Sequence, residues 1–380
     1  MKFSYYMPTT VIFGCGEFDN AAGRISKIGQ RALIVTGKKA MQALGYTEKL
    51  QKGLCSQGVQ TALFANVSAE PHTSEVNDCV DQFKDWNPDV IVALGGGSAI
   101  DAAKGIALGF STNESVEDYL VGNKAVSEVD VTIPLVAIST TAGTGAELNW
   151  AAILTDSAAG IKTSFRHKGF FPQIAIIDPM LTISLSNAVT METGFDAFAH
   201  AVETAVSKAT NPMVKMHSLE AIGLIRDNLP QVIQDGHNLP ARTAMHYASM
   251  LMGASLANSS TCLPHRLQYP IGIKTGSSHG AGLISLFKPW LEHTYEFSSQ
   301  TFNELFSVLA GRNCQRKAEV LAAFDRFTDQ IGANYTLRTF GLSEKNVPEL
   351  VSKVSGSLAN DPAGLVPGVV QALYNGAIYR

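Results

Sequence analysis

The sequence predicts two architectures in series: an α/β half built on a parallel sheet, then an all-helical half, divided near residue 184. Three observations predict this. Short apolar runs rich in β-branched residues recur through the first half, most of them followed by Gly, Pro, Ser or Asp. Helix-like stretches lie between several of these runs. After Asp178-Pro179 the runs fade, and long segments with small and apolar residues at helical spacing replace them. Continuous apolar strands separated by helices are the pattern of a sheet buried on both faces.

In order, the expected strands are residues 32–36, 61–65, 90–94, 133–138 and 174–177, with helices over 41–57 and 74–86. The second half reads as helices over 211–229, 241–258, 299–309, 316–331 and 369–377, with Pro212, Pro230 and Pro240 at boundaries. The expected domains are therefore 1–184 and 185–380. No internal repeat or low-complexity segment is visible.

Composition bounds the function. The chain has 380 residues, 46% hydrophobic and 16% charged, with a net charge of −4. That suffices for a sizeable core and is too apolar for a disordered chain. No basic block stands out, which excludes nucleic-acid and anionic-membrane binding as expectations. The first residues lack the apolar core of a signal peptide, and no run approaches a membrane span. Cys15, Cys55, Cys79, Cys262 and Cys314 are scattered without a CxxC motif. They read as reduced thiols of a cytoplasmic protein.

Two loops carry the first chemistry. The strand at 90–94 runs into Gly95-Gly96-Gly97-Ser98 and then a helix opening through Asp101 and Lys104. Glycines here let a diphosphate approach backbone N–H groups at a helix N-terminus. The order differs from Gly-x-Gly-x-x-Gly because position 100 is Ile, so a tight turn with nothing bound is the alternative. The strand at 133–138 runs into Ser139-Thr140-Thr141-Ala142-Gly143-Thr144-Gly145-Ala146-Glu147. Its hydroxyls suit phosphate, ribose or a nicotinamide amide. Two such loops on one sheet favour a Rossmann-like dinucleotide site.

The helical half carries the second. Asp196 and His200 lie four residues apart in an Ala-rich run, which puts both on one helix face. Alone, such a pair is also an ordinary surface or capping pair. His265 and His279, fourteen residues apart, would complete an Asp/His₃ set for Fe(II) or Zn(II), open to a substrate oxygen as a fifth ligand. The other histidines, His72, His167, His217, His237 and His246, read as solvent or core residues. His217 and His246, inside helices, are expected to be satisfied structural imidazoles.

Taken together, TVIFGCG at the start, GGGSAIDAAK at 95–104, STTAGTGAE at 139–147, GFDAFAHAVE at 194–203 and the two later histidine segments resemble the iron-containing (group III) alcohol dehydrogenases over nearly the whole length. The resemblance implies the dehydroquinate synthase-like fold, a homodimer, and an active site in a cleft between an N-terminal dinucleotide domain and a C-terminal metal domain. By position, Asp196, His200, His265 and His279 fall on metal ligands. Gly96, Gly97, Ser98, Asp101, Thr140, Thr141, Thr144, Lys162 and Leu181 fall on cofactor contacts, with Gly95 in the same cradle. Asp101 is expected to fix the nicotinamide end.

Three departures matter. Tyr269 stands where the family often has a second histidine, suspected of relaying a proton, and a phenol is a poor base at neutral pH. Ala146 replaces a usual Ser, and Leu263-Pro264 precedes His265 where a Gly-x-x-His segment is common. Family members that use NAD commonly place an Asp after the strand at 32–36. Here Gly37 is followed by Lys38 and Lys39, which points to NADP(H), with NAD(H) accepted less well. The paired lysines also fit an ordinary solvated turn.

The expected activity is hydride transfer between the nicotinamide and a small alcohol or aldehyde, with the metal as Lewis acid. A lyase like dehydroquinate synthase, or a polyol or phosphorylated-alcohol dehydrogenase, is the alternative on this scaffold. The lyase would need several cations on an anionic substrate; Arg266, Lys274 and Lys288 flank the metal segment. Arg266 reads as a contact for an acidic substrate or as a surface or interdomain residue. Asn149, Trp150 and Phe165 are placed near the reacting carbon.

Overall fold

The computed structural model describes every residue except Met1, Asn113, residues 121–123, Leu365 and Arg380. The chain forms two compact units. One comprises Met7–Thr141 and Ala146–Thr182, the other Met1–Tyr6, Ala142–Gly145 and Ile183–Arg380.

Among the described residues the first unit holds eight strands: β1 (Thr10–Phe13), β2 (Arg31–Gly37), β3 (Gln60–Val67), β4 (Val90–Gly95), β5 (Leu135–Ser139), β6 (Ala151–Asp156), β7 (Ile161–Arg166) and β8 (Ile174–Ile177). Six form one sheet in the order β1-β8-β5-β4-β2-β3. Every pair in it is parallel. Side chains alternate across it as a two-residue period demands. Leu33, Val35, Ile91, Ala93 and Ala137 enter one core. Ala32, Ile34, Val92, Leu94, Val136 and Ile138 enter the other. Both faces are buried, which is why the middles of β2, β4 and β5 are apolar.

The strand at 133–138 starts later than expected, at Leu135: Pro134 has no N–H for the ladder, though its carbonyl accepts from Ile91 at 3.0 Å. The single helix expected over 41–57 is two, Ala40–Ala43 and Tyr46–Ser56, because Gly45 adopts φ 74° between them. β1 and the antiparallel β6–β7 hairpin were not expected; β7 mixes Lys162, Thr163, Ser164 and Arg166 with two apolar residues and so gives no apolar run.

The second unit is helical. Its main helices are Asn187–Val206, Pro212–Gln234, Leu239–Asn258, Leu263–Thr275, His279–Thr294, Ser299–Ala310, Lys317–Ile331 and Val369–Tyr379. Pro212 and Pro240 fall in first turns, where their missing N–H costs nothing. Pro230 does not mark a boundary. The helix runs on to Gln234, carried by burial of Leu229 and Val232 on either side of the proline. Phe195, Phe198, Phe287 and Phe324 form an aromatic cluster with centroids 5.5 to 6.3 Å apart, and this core fixes the helix that carries Asp196 and His200.

Candidate active site

Helix Asn187–Val206 opens with the Ser186 hydroxyl accepting from the Val189 N–H at 3.3 Å. Asp196, His200 and Glu203 then follow one face and are all buried. His265 lies in the first turn of helix Leu263–Thr275, and His279 begins helix His279–Thr294. The structure brings the four expected ligands together. Asp196 Oδ1 lies 3.6 Å from His200 Nε2, 3.4 Å from His265 Nε2 and 3.6 Å from His279 Nε2. The Nε2 atoms of His200 and His265 are 2.8 Å apart.

Each imidazole is oriented through its other nitrogen. His200 Nδ1 faces the Gly143 carbonyl at 3.3 Å, His265 Nδ1 the Glu203 carboxylate at 2.7 Å, and His279 Nδ1 the Gln268 amide oxygen at 2.6 Å. All three acceptors place the proton on Nδ1 and leave Nε2 a lone pair. Glu203 is anchored in turn by the Cys262 N–H at 2.7 Å. Glu203 and Gln268 were not singled out from the sequence. Their signal is spacing: three residues after His200 and three after His265, each at a helical neighbour position.

The donor set fits a divalent ion. Asp196 Oδ1 is buried and makes no hydrogen bond of ordinary geometry. Two imidazole Nε2 atoms 2.8 Å apart must share a proton or a metal ion. Burial pushes the Asp196 carboxyl up, but His200, His265 and His279 beside it reverse this and hold it well below the usual carboxylate range. Burial keeps His200 below the usual imidazole value. At His265 burial also works downward, and the Glu203 and Asp196 carboxylates overcome it and raise the ring to about 10. His279 is the most open of the four, with its side chain 26% exposed.

In the α/β unit the two expected loops are neighbours. Gly95 pairs with Ser139 in the ladder, and the Thr140 N–H donates to the Gly95 carbonyl at 3.0 Å. A Cβ on Gly96 would meet the Thr141 side chain at 3.0 Å. Gly97 opens helix Gly97–Thr112, whose N-terminus therefore stands at the carboxyl edge of β4. The sheet order reverses between β2 and β4, the place where such sheets bind nucleotides, and Gly37 and Lys38 lie at the end of β2. Lys38 Nζ reaches Ser68 Oγ at 2.9 Å and Glu75 at 3.4 Å. Lys162 pairs with Glu70, and the Ser98 hydroxyl donates to the Ala69 carbonyl. Leu181 is buried against the sheet core, and Thr144 belongs with the helical unit.

Beneath the Gly97 helix lies a buried polar cluster that the sequence reading missed. Lys104 Nζ donates to Asn149 Oδ1 at 3.1 Å and to the Ala151 carbonyl at 2.6 Å, and lies 3.5 Å from Asp101 Oδ1. Asp101 Oδ2 accepts from the Ile153 N–H at 3.3 Å. Burial raises Asp101 to about 6, against the pull of Lys104. Burial likewise raises Glu147 to about 7.

The structure shows what several of the singled-out side chains touch. Asn149 is used by Lys104, and Phe165 packs edge-on to Phe170 in the core, 5.3 Å between centroids, because the β6–β7 hairpin turns it inward. Trp150 stacks on Phe171. His217 shares a 3.3 Å contact with Ser255, but His246 is buried with neither ring nitrogen bonded, and burial lowers it to about 3. Among the described residues this imidazole has no hydrogen-bond partner, and burial disfavours its charged form. Of the cations flanking the metal segment, Lys274 pairs with Glu349 and Lys288 with Asp325. Arg266 is no surface residue: it is 5% exposed and donates to the Tyr269 hydroxyl at 2.8 Å.

Comparison with known proteins agrees with this geometry. Residues 8–179 match the family described as iron-containing alcohol dehydrogenase, and residues 190–378 match the C-terminal part of the Fe-containing alcohol dehydrogenase family. The chain belongs to the iron-containing alcohol dehydrogenases. It is 29% identical to an NAD-dependent methanol dehydrogenase of Bacillus methanolicus over 359 residues, 92% of each chain. It is 28% identical to a 1,3-propanediol dehydrogenase of Klebsiella pneumoniae over 372 residues, 95% of each. An iron-containing alcohol dehydrogenase structure from Thermotoga maritima superposes with a TM-score of 0.88 at 31% identity, covering 99% of both chains.

Proposed function

We propose that this alcohol dehydrogenase interconverts a small alcohol and its aldehyde with a nicotinamide dinucleotide, using a divalent metal, Fe(II) or Zn(II), held by Asp196, His200, His265 and His279. The observation that carries the reading is the convergence of three Nε2 atoms on Asp196 Oδ1, each ring being oriented through Nδ1. Bound there, the ion supplies Lewis acidity toward the alcohol or carbonyl oxygen.

The chain's own residues do the rest. Glu203, Gln268 and the Gly143 carbonyl fix the ring orientations so that the donors need not reorganise. The Gly95–Ser98 turn and the Gly97 helix N-terminus offer N–H groups to the cofactor diphosphate. Thr140, Thr141 and Thr144 offer hydroxyls, and Asp101, held by Lys104 and the Ile153 N–H, orients the nicotinamide end. Lys162 and Leu181 complete the cofactor contacts.

We assign a preference for NADP(H). Gly37 removes the carboxylate that would repel a 2′-phosphate, and Lys38 and Lys39 follow it. The second reading, NAD(H), is favoured by Glu75 beside Lys38 and by the name of the Bacillus methanolicus relative. The test compares kcat/KM for both cofactors in the wild type and in Gly37→Asp. NADP(H) should win in the wild type, and the substitution should reverse the order; a Cβ at Gly37 meets only the Val67 carbonyl, at 3.7 Å, so the new side chain fits. A wild type that favours NAD(H) overturns the assignment. No disulfide joins the cysteines among the described residues, in keeping with a cytoplasmic location, and among them no helix is long and apolar enough to cross a membrane. A homodimer belongs to the same reading, and light scattering checks it.

A further inference from the structure

We propose that Arg266 is an anion-binding group of the substrate site, so that the preferred alcohol or aldehyde carries a carboxylate or sulfonate at the far end of a short chain. This rests on the alcohol–aldehyde reading above and adds the substrate class. Arg266 immediately follows the ligand His265 on helix Leu263–Thr275, and Tyr269 lies one turn after His265 on the same face. The phenol thus stands between the ligand and the arginine, and its hydroxyl accepts from Arg266 Nη1 at 2.8 Å.

Arg266 is buried as a residue, 5% exposed, yet no carboxylate pairs with its guanidinium among the described residues. Lys274 and Lys288, the other cations of this region, are both neutralised by acids, as a buried or half-buried cation ordinarily is. Besides Tyr269, the guanidinium reaches only the Ser357 carbonyl among the described residues, at a long 3.4 Å from Nε. The backbone at Gly356 packs against its stem, a Cβ there meeting Arg266 Cδ at 3.2 Å. One edge is therefore closed by the 356–357 backbone and one corner by the phenol. A guanidinium carries five N–H donors in a planar fork that matches two oxygens of one anion. A fork whose Nη2 makes no hydrogen bond among the described residues, next in sequence to a candidate metal ligand, is a place for the charged end of a substrate.

The experiment compares 4-oxobutanoate with butanal, which has the same chain length, and adds 3-oxopropane-1-sulfonate to separate a carboxylate from a sulfonate tail. The wild type should turn over one anion with kcat/KM at least roughly tenfold above butanal, mostly through KM. Arg266→Gln should bring the ratio of anionic to uncharged kcat/KM near one, and Arg266→Lys should keep part of it. A second readout needs no turnover: succinate should raise the melting temperature of the wild type and not of Arg266→Gln. Should Arg266→Gln not fold, Arg266→Lys and succinate binding to the wild type decide the matter. A wild type that prefers butanal, or a folded Arg266→Gln that keeps the ratio, overturns the proposal. Failure of every aldehyde with cofactor and metal present sinks the dehydrogenase reading instead, and the succinate shift still reports on Arg266.

Discussion

Two glutamates, one in each unit, are entirely buried, and they are treated in opposite ways. Glu203 accepts from His265 Nδ1 and the Cys262 N–H, so both its oxygens are used. Glu147 has no ordinary hydrogen bond at either oxygen, and burial drives it up to about 7. The contrast extends to the surroundings. The helical unit builds its site from side chains that brace one another, each imidazole held by a second group. The α/β unit builds its site from backbone and small side chains at strand ends, and its buried charges lie beneath that edge. A site of braced side chains is lost when one member is removed. A site made of backbone is damaged by adding atoms, and by degrees.

The largest expected effect tests the braced side. His279→Ala or His265→Ala should abolish metal retention, measured by elemental analysis after gel filtration, and cut turnover. The lost Lewis acidity is several kcal/mol, on the order of a thousandfold in rate. Full activity in a metal-depleted His279→Ala variant would end the assignment. Glu203→Gln comes next, because it keeps the shape and removes the charge behind His265. Metal affinity should fall roughly 10- to 100-fold, read by competition with a chelator. An unchanged affinity would show that Glu203 only fills space.

The buried acid of the α/β unit gives a stability prediction. The folded value of Glu147, about 7, is above its ordinary 4.5. Stability is thus fully present below about 4.5 and is lost as pH rises through about 7. The shift corresponds to on the order of 3 kcal/mol. Glu147→Gln should flatten the fall in melting temperature between pH 5 and pH 8 if the side chain is neutral when buried. A variant that melts with the wild-type pH profile contradicts this.

On the backbone side the effects are smaller. Gly96→Ala places a Cβ 3.0 Å from Thr141, whose rotation relieves part of the clash. About 1 kcal/mol of crowding remains, roughly a fivefold rise in cofactor KM with metal content unchanged. Tyr269→Phe should have the least effect on turnover of an uncharged aldehyde. The loss should stay well below the ~100-fold that removing a general acid or base costs. A drop of several orders of magnitude, with normal metal and cofactor binding, would make Tyr269 the proton relay after all.

Much of this was legible in the sequence, for reasons that differ between the units. The five apolar runs became parallel strands because a doubly covered sheet excludes polar residues. The four residues that converge on Asp196 Oδ1 could be picked out because two later histidines joined a helical Asp/His pair that alone is an ordinary one. What escaped depends on tertiary placement. Glu203 and Gln268 read as ordinary helix residues until His265 and His279 are brought to them. Lys104 looks like a solvent lysine of a helix opening, and only the β6 strand shows that it is buried against Asn149 and the Ala151 carbonyl. Arg266 left two readings open because exposure cannot be read from one residue type. His246 gave no hint that its helix would bury it without a partner.

The helical unit is not a continuous piece of chain, and this bears on how the protein is made. Residues Met1–Tyr6 and Ala142–Gly145 belong to it, although the 172 residues of another unit are threaded between and after them. The Tyr6 N–H donates to Asn258 Oδ1 at 2.6 Å, and Asn258 returns a bond to the Tyr6 carbonyl at 3.0 Å, across 252 positions. On the ribosome the first residues emerge long before the helix that receives them. The sheet can close while the helical unit waits for its last segments. A fragment beginning at residue 185 would lack the Gly143 carbonyl that orients His200, as well as Tyr6. The histidine cluster around Asp196 therefore comes together only after residue 279 has been made, with Gly143 waiting for it from far earlier in the chain.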